Sequence, residues 1–402
     1  MPVRPSAGRT EDARDGGHLA LAGGTFYAAP GEPPVRDGAI LIRNGLIVAA
    51  GPRGTVPSAP DTRVVDSSGL TVTAGFWNSH VHFFERKWAD AAALPADELK
   101  RQLEEMLTSH GFTSVFDLGS PWENTRALRD RIERGEVPGP AIRSTGAGLL
   151  PHGALPSEQV LALMGVMKFP APEITDAMQA TAAVRKLVEA GVDAIKVFAS
   201  SPRGAGLPES ILAAAADEAH RMGKMLFVHP NSAADVLGAL RAGADVIAHT
   251  TPMSGAWDEA ILTAMKRRHA ALTPTLQIMK YFRRHDRVST QEQVVEIATG
   301  QLRAWLGAGG AVLFGTDLGA VEYDPTDEYV LMSAAGMTFA QILASLTTMP
   351  AERFGDSHRL GRIAPGYQAD LVALRGDPAK DVRALANVEL TIRAGRILYR
   401  AH

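Results

Sequence analysis

Apolar and polar positions along this chain alternate with two different periods. From residue 18 to 72 the runs are short and β-like: Ala39 to Ile42, Leu46 to Ala50 and Arg63 to Asp66. They are broken by Arg43-Asn44-Gly45 and Gly51-Pro52, residues that favour turns. Asn44-Gly45 predicts a hairpin, because both positions tolerate positive φ. The far end has the same character, with a strand over Asp370 to Leu374 and two more about a turn within Leu390 to Tyr399. The middle switches repeatedly between period 2 and period 3.6. Strands are expected over Val72 to His82, Ser114 to Leu118, Ala141 to Thr145 and Ala194 to Phe198. Four more are expected over Met225 to His229, Val246 to His249, Ala271 to Pro274 and Ala311 to Thr316. Helical stretches lie between them: Pro95 to His110, Thr175 to Ala190, Pro208 to Gly223, Ser232 to Gly243, Asp258 to His269 and Gln291 to Gly307.

Eight strands alternating with helices predict an α/β fold, a (β/α)8 TIM-like barrel over residues 73–358. No dinucleotide fingerprint follows the first strand, which disfavours an open doubly wound sheet and leaves no organic-cofactor site to expect. The two β-rich ends, residues 18–72 and 359–402, predict a small composite β-sandwich domain built from both termini. Residues 1–17, MPVRPSAGRTEDARDGG, read as a disordered lead-in.

Composition narrows the function. Lys+Arg number 41 and Asp+Glu 44, a net charge of −3, so there is no basic excess to recruit nucleic acid or an anionic membrane. No run of about 18 apolar residues predicts a membrane span, and the N-terminus has no apolar core of a secretory signal; a cytoplasmic location is the expectation. Cysteine is absent, which excludes disulfides, a cysteine nucleophile and thiolate-held metals. Any metal must be held by nitrogen and oxygen.

Suitable ligands stand at the ends of five predicted strands. They are His80 and His82 (Asn-Ser-His-Val-His), Lys196 (Asp-Ala-Ile-Lys-Val-Phe), His229 (Leu-Phe-Val-His-Pro), His249 (Val-Ile-Ala-His-Thr) and Asp317 (Phe-Gly-Thr-Asp-Leu). In a barrel the C-terminal strand ends form the active face. His80 and His82 are two apart, so on a strand both imidazoles point to the same side. An isolated strand-end histidine is more often a hydrogen-bonded structural group. Lys196 is different, because an unpaired ammonium in an apolar strand is costly and must be neutralised, paired or modified. Five strand ends in register with the barrel repeat favour a metal site over separate structural roles.

This order of His-x-His, strand-end Lys, His, His and Asp resembles the metal-dependent amidohydrolase superfamily, in particular its binuclear branch with a carbamylated lysine. Thr73 to His82, Pro350-Ala351-Glu352-Arg353 and Leu360 to Val372 carry the same resemblance, which spans residues 20–400. Ser144 to Gly153 is most similar to the Xaa-Pro dipeptidase and imidazolonepropionase-related enzymes. The resemblance implies two divalent ions, zinc foremost with manganese or cobalt as alternatives. It implies His80, His82 and Asp317 on one ion and His229 and His249 on the other. A CO2-derived carbamate on Lys196 and a hydroxide would bridge the pair. Asp317 would serve as general base, then general acid. The reaction implied is hydrolysis of a C–N bond (amide, peptide, carbamate or urea) in a small, apolar-rich substrate.

Other candidates are weaker. His152, in the loop after the third strand, resembles a substrate contact of related peptidases, against a plain exposed loop histidine. Tyr281 could donate to an oxyanion or simply pack at a helix start. Phe83, Phe84 and Trp88 are placed to wall the pocket or to fill the core. Two segments depart from the family pattern. Pro230-Asn231 follows His229, and Ala199-Ser200-Ser201-Pro202-Arg203 follows the lysine strand. Relatives usually touch substrate there, which makes Asn231 a substrate-binding candidate and puts dipeptidase activity in question; Arg203 is a candidate to pair with a substrate carboxylate, against the commoner role of a plain surface-loop arginine. Deamination is disfavoured, because His229-Pro230-Asn231-Ser232-Ala233 lacks the His-x-x-x-Glu of the mononuclear deaminases. The same site acting on a cyclic amide, lactone or phosphoester stays open. So does a non-catalytic interaction protein on this fold, although such proteins usually lose ligands and none is lost here. The expected partner is a small-molecule substrate, with a homo-oligomer allowed by the resemblance alone.

Overall fold

A computed structural model describes residues 18–57, 61–154, 165, 171–201, 206–280, 290–319 and 321–402. The expected lead-in 1–17 and two site candidates, Arg203 and Tyr281, lie outside the described residues.

The N-terminal strands are β1 (His18–Phe26), β2 (Val35–Arg43), β3 (Leu46–Pro52), β4 (Thr62–Asp66) and β5 (Leu70–Ala74). Asn44 (φ 49°) and Gly45 (φ 77°) turn β2 into β3 with both residues left-handed, the geometry the dipeptide favours. β1 is bulged. Its first half pairs with β4 and its last residues, Thr25 and Phe26, pair with β5.

Chain entry into the barrel corrects the expectation of one strand over Val72 to His82. The run is broken at Gly75 into β5 and β6 (Phe76–Val81). A Cβ at Gly75 would sit 2.3 Å from Thr113 Oγ1 and 2.7 Å from its Cγ2, so only glycine lets the chain pass here. The barrel continues through β7 (Phe112–Asp117) and β8 (Ala141–Ser144), with a small parallel pair β9 (Leu150–Pro151) and β10 (Glu173–Ile174) above it. It resumes with β11 (Ile195–Phe198), β12 (Leu226–His229), β13 (Val246–Ala248), β14 (Ala271–Thr273) and β15 (Ala311–Val312). β6 to β8 and β11 to β15 are each parallel. Two seams close the ring. Leu149 N and Phe198 N bond to Lys196 O and Leu149 O at 2.8 and 2.9 Å. On the other side Ser79 N bonds to Phe314 O at 2.7 Å and Asp317 N to His80 O at 2.9 Å. The eighth expected strand, to Thr316, is regular only to Val312, because the chain then bends to bring Asp317 round with φ 64°.

Each expected helix is present, within a few residues of its predicted ends. They are α1 (Ala96–Met106, continued by a 3₁₀ turn to His110), α3 (Ala177–Glu189), α4 (Glu209–Arg221), α5 (Ala233–Ala242), α6 (Glu259–Arg268) and α7 (Gln291–Gly307). A further helix, α2 (Trp122–Glu133), lies between β7 and β8, and α8 (Thr326–Ala334), α9 (Phe339–Leu346) and α10 (Thr348–Arg353) follow the last barrel strand.

The chain ends with β16 (Leu371–Arg375), β17 (Val388–Arg393) and β18 (Arg396–Arg400), which return to the N-terminal strands. β16 pairs antiparallel with β5, giving one eight-stranded sheet in the order β18-β17-β16-β5-β1-β2-β3 with β4 beside β1. Leu21, Ile40, Ile47, Val72, Leu371 and Ile392 form its own apolar core, apart from the large barrel core. The protein is therefore a TIM barrel with an additional β-rich domain drawn from both ends. Among the described residues no helix is long and apolar enough to cross a membrane.

Candidate metal centre

Three non-glycine residues at strand ends adopt left-handed backbone: His249 (φ 85°), Thr275 (φ 46°) and Asp317 (φ 64°). Such strain persists only where the surroundings impose it, and here it falls on one face of the barrel. β6 delivers His80, with His82 just past its end, β11 delivers Lys196, β12 His229, and the residue just past β13 is His249.

The strand ends converge. His80, His249 and Asp317 each offer a ligand atom, all within 4.8 Å of one another and all buried. The imidazole of His80 lies 5.2 Å from that of His82 and 4.7 Å from that of His249, and His249 lies 4.5 Å from His229. Asp317 Oδ1 is 2.7 Å from His82 Nε2 and 3.3 Å from His80 Nε2, yet no well-angled hydrogen bond reaches it, and Nδ1 of both histidines is also unpartnered. Donor atoms gathered this closely without hydrogen bonds suit a cation between them.

Hydrogen bonds fix the protons on the other two rings. Thr275 Oγ1 donates to Pro274 O at 2.8 Å, so it must accept from His249 Nδ1 at 2.6 Å. The lone pair of His249 is thereby left on Nε2. His229 Nε2 meets Asn231 Oδ1 at 3.3 Å, which leaves its Nδ1 free. Burial drives the pKa of His80 and of His249 well below the ordinary imidazole value, so both rings are neutral donors near neutral pH. Burial alone would raise the Asp317 carboxyl, but the surrounding His80, His82 and His249 rings hold it well below the usual carboxylate range.

Lys196 is only 1% exposed, and among the described residues no carboxylate lies within ion-pair reach of its Nζ. Its ammonium stands 5.4 Å from the centroid of the Phe198 ring. Burial pushes the amine down to about 7, against a weaker upward pull from Asp317.

Supporting groups tie these ends together. Asn78 accepts from His80 N at 3.2 Å and Thr316 N at 3.3 Å and donates to Thr316 Oγ1 at 2.7 Å, joining the His-x-His strand to the Asp317 segment. A Cβ at Gly315 would lie 2.3 Å from Thr273 Cγ2 and 2.8 Å from His80 Cβ. Asp117, a buried acid at the end of β7, was not singled out by sequence. It accepts from Ser144 Oγ at 2.6 Å and from Ser120 Oγ, which in turn accepts from Phe83 N at 2.8 Å. Burial raises its carboxyl to about 6, against the pull of His82. Its one sequence signal was an acid near the end of the expected strand Ser114 to Leu118.

Of the three aromatic candidates only Phe84 reaches the cluster, stacked on His82 at 4.6 Å. Phe83 and Trp88 are fully buried in the barrel core and pack on each other at 5.1 Å, so they present no surface to a substrate. His152 has a side chain 80% exposed and pairs with Glu173 at 2.8 Å, on the rim and not among the ligands. Asn231 is committed to other groups: besides His229, its Nδ2 donates to Ser200 O at 2.9 Å and Ser200 Oγ at 3.1 Å. This occupies the amide that was expected to meet substrate.

Comparison with known proteins adds the lineage. The model of the amidohydrolase family matches residues 71–398. An ochratoxinase of Aspergillus niger is 26% identical over 406 aligned residues, covering 90% of this chain and 82% of that protein. A solved structure from Bifidobacterium longum, assigned as a prolidase, superposes with a TM-score of 0.81 at 26% identity, covering 96% of this chain and 95% of the other. A Xaa-Pro dipeptidase structure with methionine in its active site gives 0.80 at 21% identity, covering 96% and 100%, a likeness of fold.

Proposed function

From the premise that the chain belongs to the amidohydrolase family and is a hydrolase, we propose that it cleaves a C–N bond in a small, apolar-rich substrate using two divalent metal ions. The single observation that carries this is the convergence of buried Asp317 Oδ1 with Nε2 of His82 and His80, at 2.7 and 3.3 Å. His80, His82 and Asp317 would hold one ion, and His229 and His249 the second. The all-nitrogen-and-oxygen donor set suits zinc, with manganese or cobalt as alternatives. Such ions lower the pKa of water and polarise a carbonyl.

Lys196, as a carbamate, would complete the site and supply an anionic oxygen ligand to the ions. The neutral amine attacks CO2, forming an N–C bond as one C=O π bond opens and releasing one proton, so that a buried neutral amine becomes an anionic two-oxygen ligand. An amine with its pKa lowered to about 7 is largely available in that neutral form at physiological pH. Asp317, held as a carboxylate, accepts the proton of the attacking water and returns it to the departing amine. Phe84, beside His82, offers an apolar wall for the substrate. The named activities of the ochratoxinase and the prolidase support an amide or peptide bond over an ester.

The test is a hydrolysis panel on zinc- or manganese-loaded enzyme, spanning N-acyl amino acids, dipeptides, anilides, carbamates, lactones and phosphotriesters. Turnover of a C–N substrate is expected, with Lys196→Ala losing nearly all of it and at least one ion. Turnover confined to lactones or phosphotriesters, or a fully active two-metal Lys196→Ala enzyme, would overturn the reading.

A further inference from the structure

The two segments that depart from the family pattern meet in space. Strands β11 and β12 pair with an offset of 31 residues, Phe198 opposite His229. The same offset beyond the strand ends sets Ser200 beside Asn231. From this we propose that Asn231, Ser200 and Asp235 form a positioning unit that sets the tautomer and rotation of His229 for metal ligation.

The direction of each bond follows from its partner. Ser200 O can only accept, so Asn231 must turn its Nδ2 toward Ser200, at 2.9 Å, and its Oδ1 toward His229. Asn231 Oδ1 can only accept, so the proton of His229 sits on Nε2, 3.3 Å away. Asn231 Nδ2 also donates to Ser200 Oγ at 3.1 Å, and that hydroxyl donates to Asp235 Oδ2 at 2.6 Å. The same Asp235 oxygen accepts from Asn231 N and Ser232 N, each at 3.0 Å. Asp235 is the third residue of α5 and closes a capping box with Ser232, so its carboxylate is anchored to a helix end.

The result is a one-way chain, His229 Nε2–H to Asn231, Asn231 to Ser200, Ser200 to Asp235. It leaves the Nδ1 lone pair of His229 as the donor. Phe198 holds the ring from one side at 4.8 Å. The chain also ties the end of β12 to that of β11, the strand carrying Lys196. The inference rests on the metal-centre reading for its purpose, but the tautomer it assigns belongs to the metal-free protein. Asn231 and Ser200 act through His229 and are positioning residues.

Two measurements test it on the full chain. Long-range 1H–15N spectra of metal-free protein with labelled histidine should show His229 protonated at Nε2. Asn231→Ala should convert it to a mixture of tautomers, and Ser200→Ala, which keeps the backbone oxygen but cuts the link to Asp235, should do so in part. Zinc titration against a chelator should show one of two ions bound about 10–100-fold more weakly in Asn231→Ala, with Asn231→Asp restoring most of the affinity because its Oδ still accepts from Nε2. An unchanged tautomer in both alanine variants, with circular dichroism intact, would overturn the proposal, as would unchanged zinc affinity. Wild-type protein that binds no zinc would defeat the metal-centre reading, while the spectra would still decide the tautomer. If one alanine variant fails to fold, the other carries the test.

Discussion

Replacing Lys196 by methionine should stabilise the metal-free protein while removing its chemistry. The substitution keeps the apolar stem and deletes an ammonium that is 1% exposed and has no carboxylate partner among the described residues. In the folded protein burial lowers this amine from 10.5 to about 7. Between those values the unfolded chain binds the proton and the folded chain does not, so this group makes stability rise with pH over that window. At and below about pH 7 the folded state carries nearly the whole cost, which at 1.36 kcal/mol per unit comes to about 5 kcal/mol. Methionine packing in place of the lysine stem should cost less than about 1.5 kcal/mol. Lys196→Met is therefore expected to be more stable by about 3–5 kcal/mol near pH 7 and below, with the gap closing as pH approaches 10. The assay is urea unfolding of chelator-treated, CO2-free wild type and variant across that range, read by circular dichroism. With zinc and bicarbonate the order should reverse, because only the wild type gains the binding energy of both ions. A variant no more stable than wild type at low pH, or a gap that does not change with pH, would refute the reasoning.

Two further expectations follow from groups around the site. Gly315→Ala would force a Cβ to within 2.3 Å of Thr273 Cγ2 and 2.8 Å of His80 Cβ, so a loss of about 1–3 kcal/mol in urea unfolding and a weakened zinc affinity are expected. Glu328 is fully buried, accepts from Gln277 N at 2.7 Å and is raised by burial from 4.5 to about 8. Here the folded state binds the extra proton, so wild type should lose stability relative to Glu328→Gln as pH climbs from about 4.5 to about 8, by about 1.4 kcal/mol per unit at most. Parallel urea midpoints for the two proteins across that range would contradict it.

The barrel was legible because its strands are short apolar runs ending in polar residues, and the ligand types fell on those ends in register. The hairpin at Asn44-Gly45 was legible from local chemistry alone. The break at Gly75 was not, because its cause is Thr113, 38 residues along the chain, and an apolar run gives no local sign of it. Nor was the left-handed backbone of His249, Thr275 and Asp317, which runs against the preference of each residue and is imposed by the surrounding packing. The run Phe83-Phe84 divides between the core and the His82 ring, a split that alternation allows but whose direction only the fold sets. Asn231 and Ser200 were each visible as a departure from pattern. Their partnership depended on the pairing register of β11 and β12, which no local signal encodes.

Anomalous diffraction at the zinc edge, from crystals grown with zinc and bicarbonate, reports the proposed metal centre most directly. Two peaks are expected, ringed by His80, His82, His229, His249 and Asp317, with density for a carboxylate on Lys196 Nζ between them. No peak at these six residues, or zinc bound only elsewhere on the protein, would contradict the account.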